Sequence, residues 1–182
     1  MKAYKGFHKD LTCIGYQFNK YGVNRTKQAN CRKNGFHCAE NPLDCLFHYR
    51  DWKNSVYYMV EAGGDIDEDE FDSKISCTEL KLIKKLSLLE LLSEGIAYMV
   101  RYPNRPLSQI VFKESGEAPE EGYAVIRGAN PKGKGKSGAI LVLLKEEEQK
   151  ITEVAVLIID GKSHFPNVWY NIYGEEESEC AA

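Results

Sequence analysis

Two apolar runs of six residues, Ala139–Leu144 and Val154–Ile159, are the longest in the chain. That length suits a strand buried within a sheet, and it falls far short of the roughly 18 apolar residues a membrane-crossing helix needs. Burial must therefore come from short segments packed together. With 43% hydrophobic and 28% charged residues over 182 positions, the chain can fill one core, or one core with a small appendage.

Along the chain, Lys2–Phe7 predicts an opening strand, followed by a polar, turn-rich stretch to Asn34. Asn41-Pro42 announces a helix over Pro42–Tyr49, since Asn suits the N-cap and Pro the first helical position. Ser55–Glu61, rich in Val and Tyr, predicts a strand, which Gly63-Gly64 should break before an acidic loop to Asp72. Lys74–Leu82 predicts another strand. Ser87-Leu88-Leu89-Glu90 is a capping box, opening a helix over Leu88–Val100 that stops before Pro103. Five strands are then expected: Gln109–Lys113, Gly122–Arg127, Ala139–Lys145, Ile151–Ile159 and Val168–Tyr173, with a turn at Asp160-Gly161. The expected class is α+β. A mixed α/β half with two main helices (residues 1–101) precedes a mostly antiparallel β half (102–173) and an acidic flexible tail (174–182), either as separate parts or within one compact domain.

The opening Met1–Gly6 has no hydrophobic stretch and no small-residue cleavage pattern, so the expected location is the cytoplasm of a host cell, with no membrane partner. In that reducing setting Cys13, Cys31, Cys38, Cys45, Cys77 and Cys180 are expected as free thiols. Cys31, Cys38 and Cys45 recur every seven residues near His37 and His48, a spacing wider than that of zinc-ligand pairs, and no metal is expected. The net charge of −3 conceals an asymmetry: residues 1–60 carry ten Lys/Arg against four Asp/Glu, and the remainder is acidic. Two electrostatically different surfaces are implied.

Three segments carry possible chemistry. Gly128–Gly138 (GANPKGKGKSG) nearly spells a phosphate-binding P-loop, but Gly135 occupies the hydroxyl position and a strand follows where a helix is needed. What remains is a flexible loop in which Lys132, Lys134 and Lys136, with Arg127 at the base, could neutralise phosphates, or an exposed hairpin loop. Asp65, Asp67, Glu68, Asp69, Glu70 and Asp72 fail the calcium-loop pattern, since Glu70 stands where glycine is required. They form either an imitation of a nucleic-acid backbone that engages a partner or a solvated loop. His37, Glu40 and Asp44, with His48 four residues beyond Asp44, are candidates for general acid–base chemistry such as RNA transesterification, or for caps. No signature of a cofactor site is present.

Met1-Lys2-Ala3-Tyr4-Lys5-Gly6-Phe7, Gly35–Cys45 (GFHCAENPLDC), Val56–Gly64 and Asp72-Ser73-Lys74 resemble a domain of unknown function common in phage and prophage proteins. Gly122–Gly138, Asp160-Gly161 and Trp169-Tyr170 resemble the C-terminal segment of that family, although Tyr102–Glu121 replaces its usual Gly/Ser/Ala-rich repeat. The opening strand with Gly35–Leu46 also resembles ADP-ribosyltransferase folds. In size and character the chain is similar to type II-A anti-CRISPR proteins. These resemblances imply an anti-defence protein that inhibits Cas9 by interfering with guide-RNA or DNA engagement, including guide-RNA processing. An ADP-ribosyltransferase-like or RNA-cleaving enzyme and a phage structural accessory protein are the alternatives.

Overall fold

The computed structural model describes residues 1–69 and 73–178, in two compact units, residues 1–98 and 99–182. The first unit opens with β1 (Lys2–His8), β2 (Thr12–Cys13), β3 (Tyr16–Gln17) and β4 (Val23–Arg25). The turn-rich stretch thus contributes three short strands. Next come β5 (Phe36–Ala39), α1 (Pro42–His48), β6 (Ser55–Glu68), β7 (Lys74–Leu86) and α2 (Leu88–Arg101), the last spanning the unit boundary.

Both helices begin where their caps dictate. Asn41 Oδ1 accepts from the Leu43 N–H at 3.1 Å. The Ser87 N–H donates to Glu90 Oε2 at 2.8 Å while the Glu90 N–H donates to Ser87 Oγ at 3.2 Å, satisfying two orphan donors at once. Leu43, Leu91 and Leu92 are fully buried, and a Cβ on Gly95 would sit 2.4 Å from Leu43 Cδ2. Gly95 thus lets the helix backbone approach Leu43 closely.

The α+β expectation is corrected by this structure, which is mostly β, with 51% strand and 12% helix. Part of the reason lies at Gly63-Gly64. Instead of ending the strand, the glycines form a bulge in which Gly64 takes φ +69° and the register with β7 shifts. The Asp65 N–H donates to Thr78 Oγ1 at 2.8 Å, and pairing resumes at Ile66↔Cys77. Asp65, Asp67 and Glu68 therefore lie in a strand, not a loop; Glu70 and Asp72 fall outside the described residues.

β1, β6, β7 and β5 pair antiparallel in a closed circuit around Phe7, Phe18, Phe36, Tyr58, Ile75 and Leu80. Phe7 and Phe18 meet edge-to-face with centroids 5.0 Å apart. The circuit is weakest between β1 and β5, which share one register pair, Tyr4↔Ala39.

The second unit contains β8 (Val111–Ala118), β9 (Tyr123–Gly135), β10 (Ile140–Glu147), β11 (Lys150–Ile158), β12 (Trp169–Tyr170) and β13 (Glu176–Glu177). The expected acidic tail contributes β13, which pairs with β12; residues 179–182 lie outside the described ones. Pairing is mixed: β10–β11, β9–β12 and β12–β13 are antiparallel, whereas β8–β9 and β9–β10 are parallel. Parallel neighbours ordinarily need a crossover of a dozen residues, whereas the links here are four-residue turns. Bent strands resolve the difference. Val111–Lys113 pairs with Val125–Arg127, and Ser115–Ala118 with Lys132–Gly135, so each strand's second limb carries the chain back. The corner is held by Glu114 (φ +62°), whose carboxylate accepts from the Ala129 and Asn130 N–H groups at 3.0 and 3.1 Å. The two turns stack, with Ile140 N–H on the Gly122 carbonyl and Lys136 N–H on that of Ala118. The core contains Ile126, Leu141, Leu143, Ile159 and Tyr170.

The lysine-rich segment is therefore corrected from a flexible loop to a strand ending in a turn. Gly133 and Gly135 face inward because larger residues would meet Leu141 and Ile159, and Lys132 and Lys134 alternate to the other face. Among the described residues, no helix is long and apolar enough to cross a membrane.

Candidate functional site

Where β1 and β5 part, a cleft of about 720 Å³ opens in the first unit. Its floor is set by Lys5, a buried lysine in the middle of β1. The Lys5 ammonium donates to the His37 carbonyl oxygen at 2.6 Å and to Cys13 Sγ at 3.4 Å, and sits 5.3 Å from the Phe7 and Phe18 ring centroids. It spans the gap that backbone pairing leaves open, and its stem packs on the aromatic core.

His37 is half-buried on β5, and its Nε2 accepts from the Arg32 N–H at 3.1 Å. A ring accepting there carries its proton on Nδ1. Burial lowers the pKa of His37 below the usual imidazole value, and the positive charges of Lys5, Lys74 and His48 add to the effect. The ring is thus neutral near pH 7.

The Arg32 wall is held by the acidic segment. Asp69, whose side chain is 4% exposed, pairs with the Arg32 guanidinium, and Asp67 accepts from the Cys31 N–H at 2.6 Å. Next to Lys74, whose carbonyl accepts from the Asp69 N–H, Ser73 Oγ donates to Asp44 Oδ2 at 2.5 Å and accepts from the Asn41 N–H at 3.1 Å, joining the start of α1 to the start of β7. Tyr49, just after α1, donates its hydroxyl to Cys13 Sγ at 3.0 Å, and burial raises its pKa. A Cβ on Gly6 would lie 2.4 Å from Tyr49 Cδ2, so this glycine seats the ring against β1.

Lining the cleft are Lys5, Arg32, Arg50 and Lys74, together with His8, His37 and His48, three of the chain's four histidines. Its carboxylates among the described residues are Asp44 and Asp51. The balance is cationic, suited to an anion.

Of the sequence-derived candidates, the cleft brings together His37 and Asp44. Glu40 does not line it; the Glu40 N–H donates to the Ser73 carbonyl. Arg127 lies in the second unit, 5% exposed, with Nε on Glu146 at 2.6 Å and a terminal nitrogen on the Pro103 carbonyl at 3.1 Å. Lys134 pairs with Glu117 at 3.0 Å and lies 4.9 Å from the Trp169 ring centroid, with Lys132 at 5.7 Å, whereas Lys136 is exposed. Lys5, Cys13, Arg32 and Tyr49 escaped the sequence reading. A signal existed for Lys5, a charged residue inside the otherwise uncharged run Ala3–Phe7.

Residues 1–94, slightly more than half of the chain, match the model of the Domain of unknown function (DUF7666). The chain belongs to this family. The cleft and the whole β1–β7 circuit lie within the DUF7666 domain, whereas the segments Gly122–Gly138 and Trp169-Tyr170 lie outside the matched residues. No curated protein and no solved structure matches the chain.

Proposed function

We propose that the protein is an anti-defence factor of phage or prophage origin whose DUF7666 domain takes RNA phosphate into the Lys5–His37 cleft. Its target in this reading is the guide RNA of a Cas9 nucleoprotein in the host cytoplasm. The observation that supports it is the convergence of four Lys/Arg side chains and three histidines on one cleft with two carboxylates. Each phosphate neutralised there releases counterions, so binding should weaken steeply with salt.

The state of His37 favours binding over cleavage. A general base needs a free lone pair on the ring, and the Nε2 lone pair is occupied by the Arg32 N–H. What His37 offers an anion is the Nδ1–H. The acidic segment has a role in this reading other than imitating nucleic acid, since Asp67 and Asp69 hold the cleft wall.

A second reading, an RNA-cleaving enzyme, draws on the three cleft histidines.

The test mixes the protein with Cas9 and guide RNA and follows target cleavage and RNA length on one gel. Lost cleavage with intact RNA, restored by Arg50→Glu with Lys74→Glu, is the expected result. Shortened RNA moves the weight to the enzyme, and unchanged cleavage with unchanged RNA removes Cas9 as the target.

A further inference from the structure

Cys13 differs from the other described cysteines in what its sulfur receives. It lies in the cleft wall and accepts from two donors, the Lys5 ammonium at 3.4 Å and the Tyr49 hydroxyl at 3.0 Å. Cys31 instead donates toward Asp69 and the Lys74 carbonyl, and Cys77 toward the Phe36 carbonyl. Cys45 also lines the cleft at 5% exposure, but its surroundings push its thiol up to about 12, burial being the main cause. Cys38 is buried beside Cys77 and raised as well. Cys13 is itself only 8% exposed, so a small electrophile reaches it through the cleft, and what sets its sulfur apart is the ammonium and the hydroxyl that point at it.

We infer that Cys13 and Lys5 form a peroxide-dependent covalent bond that removes a positive charge from the cleft. Hydrogen peroxide is the oxidant. In the first step the Cys13 thiol gives its proton to solvent and the thiolate attacks one peroxide oxygen, the O–O bond breaks, and the departing hydroxide leaves as water with a proton from the Lys5 ammonium. Sulfur is oxidised by two electrons to the sulfenic acid, and peroxide is reduced. In the second step the freed Lys5 amine attacks the same sulfur, the S–O bond breaks, and a second water leaves. The product is a sulfenamide, in which thiol and amine have each lost one hydrogen. Condensation of sulfenic acid with a nitrogen is an established fate of oxidised cysteine, and a thiol reductant reverses it. Lys5 and Cys13 are already in hydrogen-bond contact, so bond formation needs a local approach only.

The bond would tie β2 to β1 and convert the ammonium at the floor of the cleft into a neutral nitrogen. That consequence rests on the anion-binding reading above; the chemistry does not. The experiment treats the full chain with hydrogen peroxide and measures its intact mass, followed by digestion without reductant. The expected result is a loss of two hydrogens and a peptide joining Lys5 to Cys13, both reversed by dithiothreitol and both missing in Cys13→Ser and Lys5→Arg. Cys13 recovered as a free thiol, as a sulfinic acid with Lys5 unmodified, or in a disulfide with another cysteine overturns the inference. The wild-type mass map decides this even where a variant folds poorly. Binding of a short RNA is then measured on the oxidised protein. Weakened binding that recovers on reduction supports both the bond and its role, whereas an intact cross-link with unchanged binding supports the bond and removes the anion-binding reading.

Discussion

The ammonium of Lys5 donates to the carbonyl oxygen of His37 at 2.6 Å, joining two strands that share a single register pair. Hydrogen bonds to charged groups contribute about 1.5–3 kcal/mol. Lys5→Met keeps the stem that packs on Phe7 and Phe18 but removes the donor and leaves the carbonyl unanswered. Its expected cost is about 2 kcal/mol in urea unfolding, together with loss of RNA binding. A Lys5→Met protein as stable as wild type would show that the bond does not hold β1 to β5.

His37 also makes stability depend on pH. Its folded pKa lies below the ordinary imidazole value, through burial first and neighbouring cations second. The unfolded chain therefore binds the proton first as pH falls below about 6.5, and stability declines from there until pH passes the lowered folded value. Above about 6.5 both states are neutral and the effect vanishes. Gln at position 37 keeps an acceptor for the Arg32 N–H without titrating. Subtracting the His37→Gln urea-midpoint profile from that of wild type should leave a decline confined to this window; a flat difference contradicts the assignment.

Asp69 restrains a thiol as well as an arginine. Burial raises the pKa of Cys31, and the Asp69 carboxylate adds to the rise. Asp69→Asn removes that negative charge and loosens the Arg32 contact. Alkylation of Cys31 by iodoacetamide at pH 8 should then run several-fold faster than in wild type, with followed peptide mass as the readout. Equal rates would mean that Asp69 does not control this wall.

Local rules read the caps and strand centres well. Asn41, Pro42, Ser87 and Glu90 fixed both helix starts, because a cap depends on atoms within three residues. Strand ends and pairings were harder. Whether Gly63-Gly64 ends a strand or bulges it is decided by Thr78 on the facing strand, which accepts the Asp65 N–H. The parallel stacking of β8–β10 depends on Glu114 reaching two amides 15 and 16 residues away. At the site, His37 and Asp44 were legible as chemistry-bearing residues close in sequence. Cys13 and Lys5 meet through the fold of the β2–β3 ribbon, and Arg32 reaches the cleft through Asp69, a partner 37 residues on. Neither relationship leaves a periodic trace.

Gly135 tests whether the GKGKG segment is a packed strand or a loop. A Cβ at this position would lie 2.9 Å from Ile159 Cγ1 and 3.0 Å from Ala139 Cβ, both in the core of the second unit. φ is not positive here, so Gly135→Ala acts through overpacking and not through backbone strain. Such insertions into a packed core cost about 1–3 kcal/mol. Lys134→Ala, one residue earlier on the other face, removes the pair with Glu117 and the contact with the Trp169 ring without forcing any group into the core, and should cost no more than about 1 kcal/mol. The two variants are compared by urea unfolding followed at Trp169, which lies beside Lys134 on β12. A clear drop for Gly135→Ala with little change for Lys134→Ala is expected of the strand. Equal, negligible effects would return the segment to a solvated loop, because a loop tolerates a methyl group at either position.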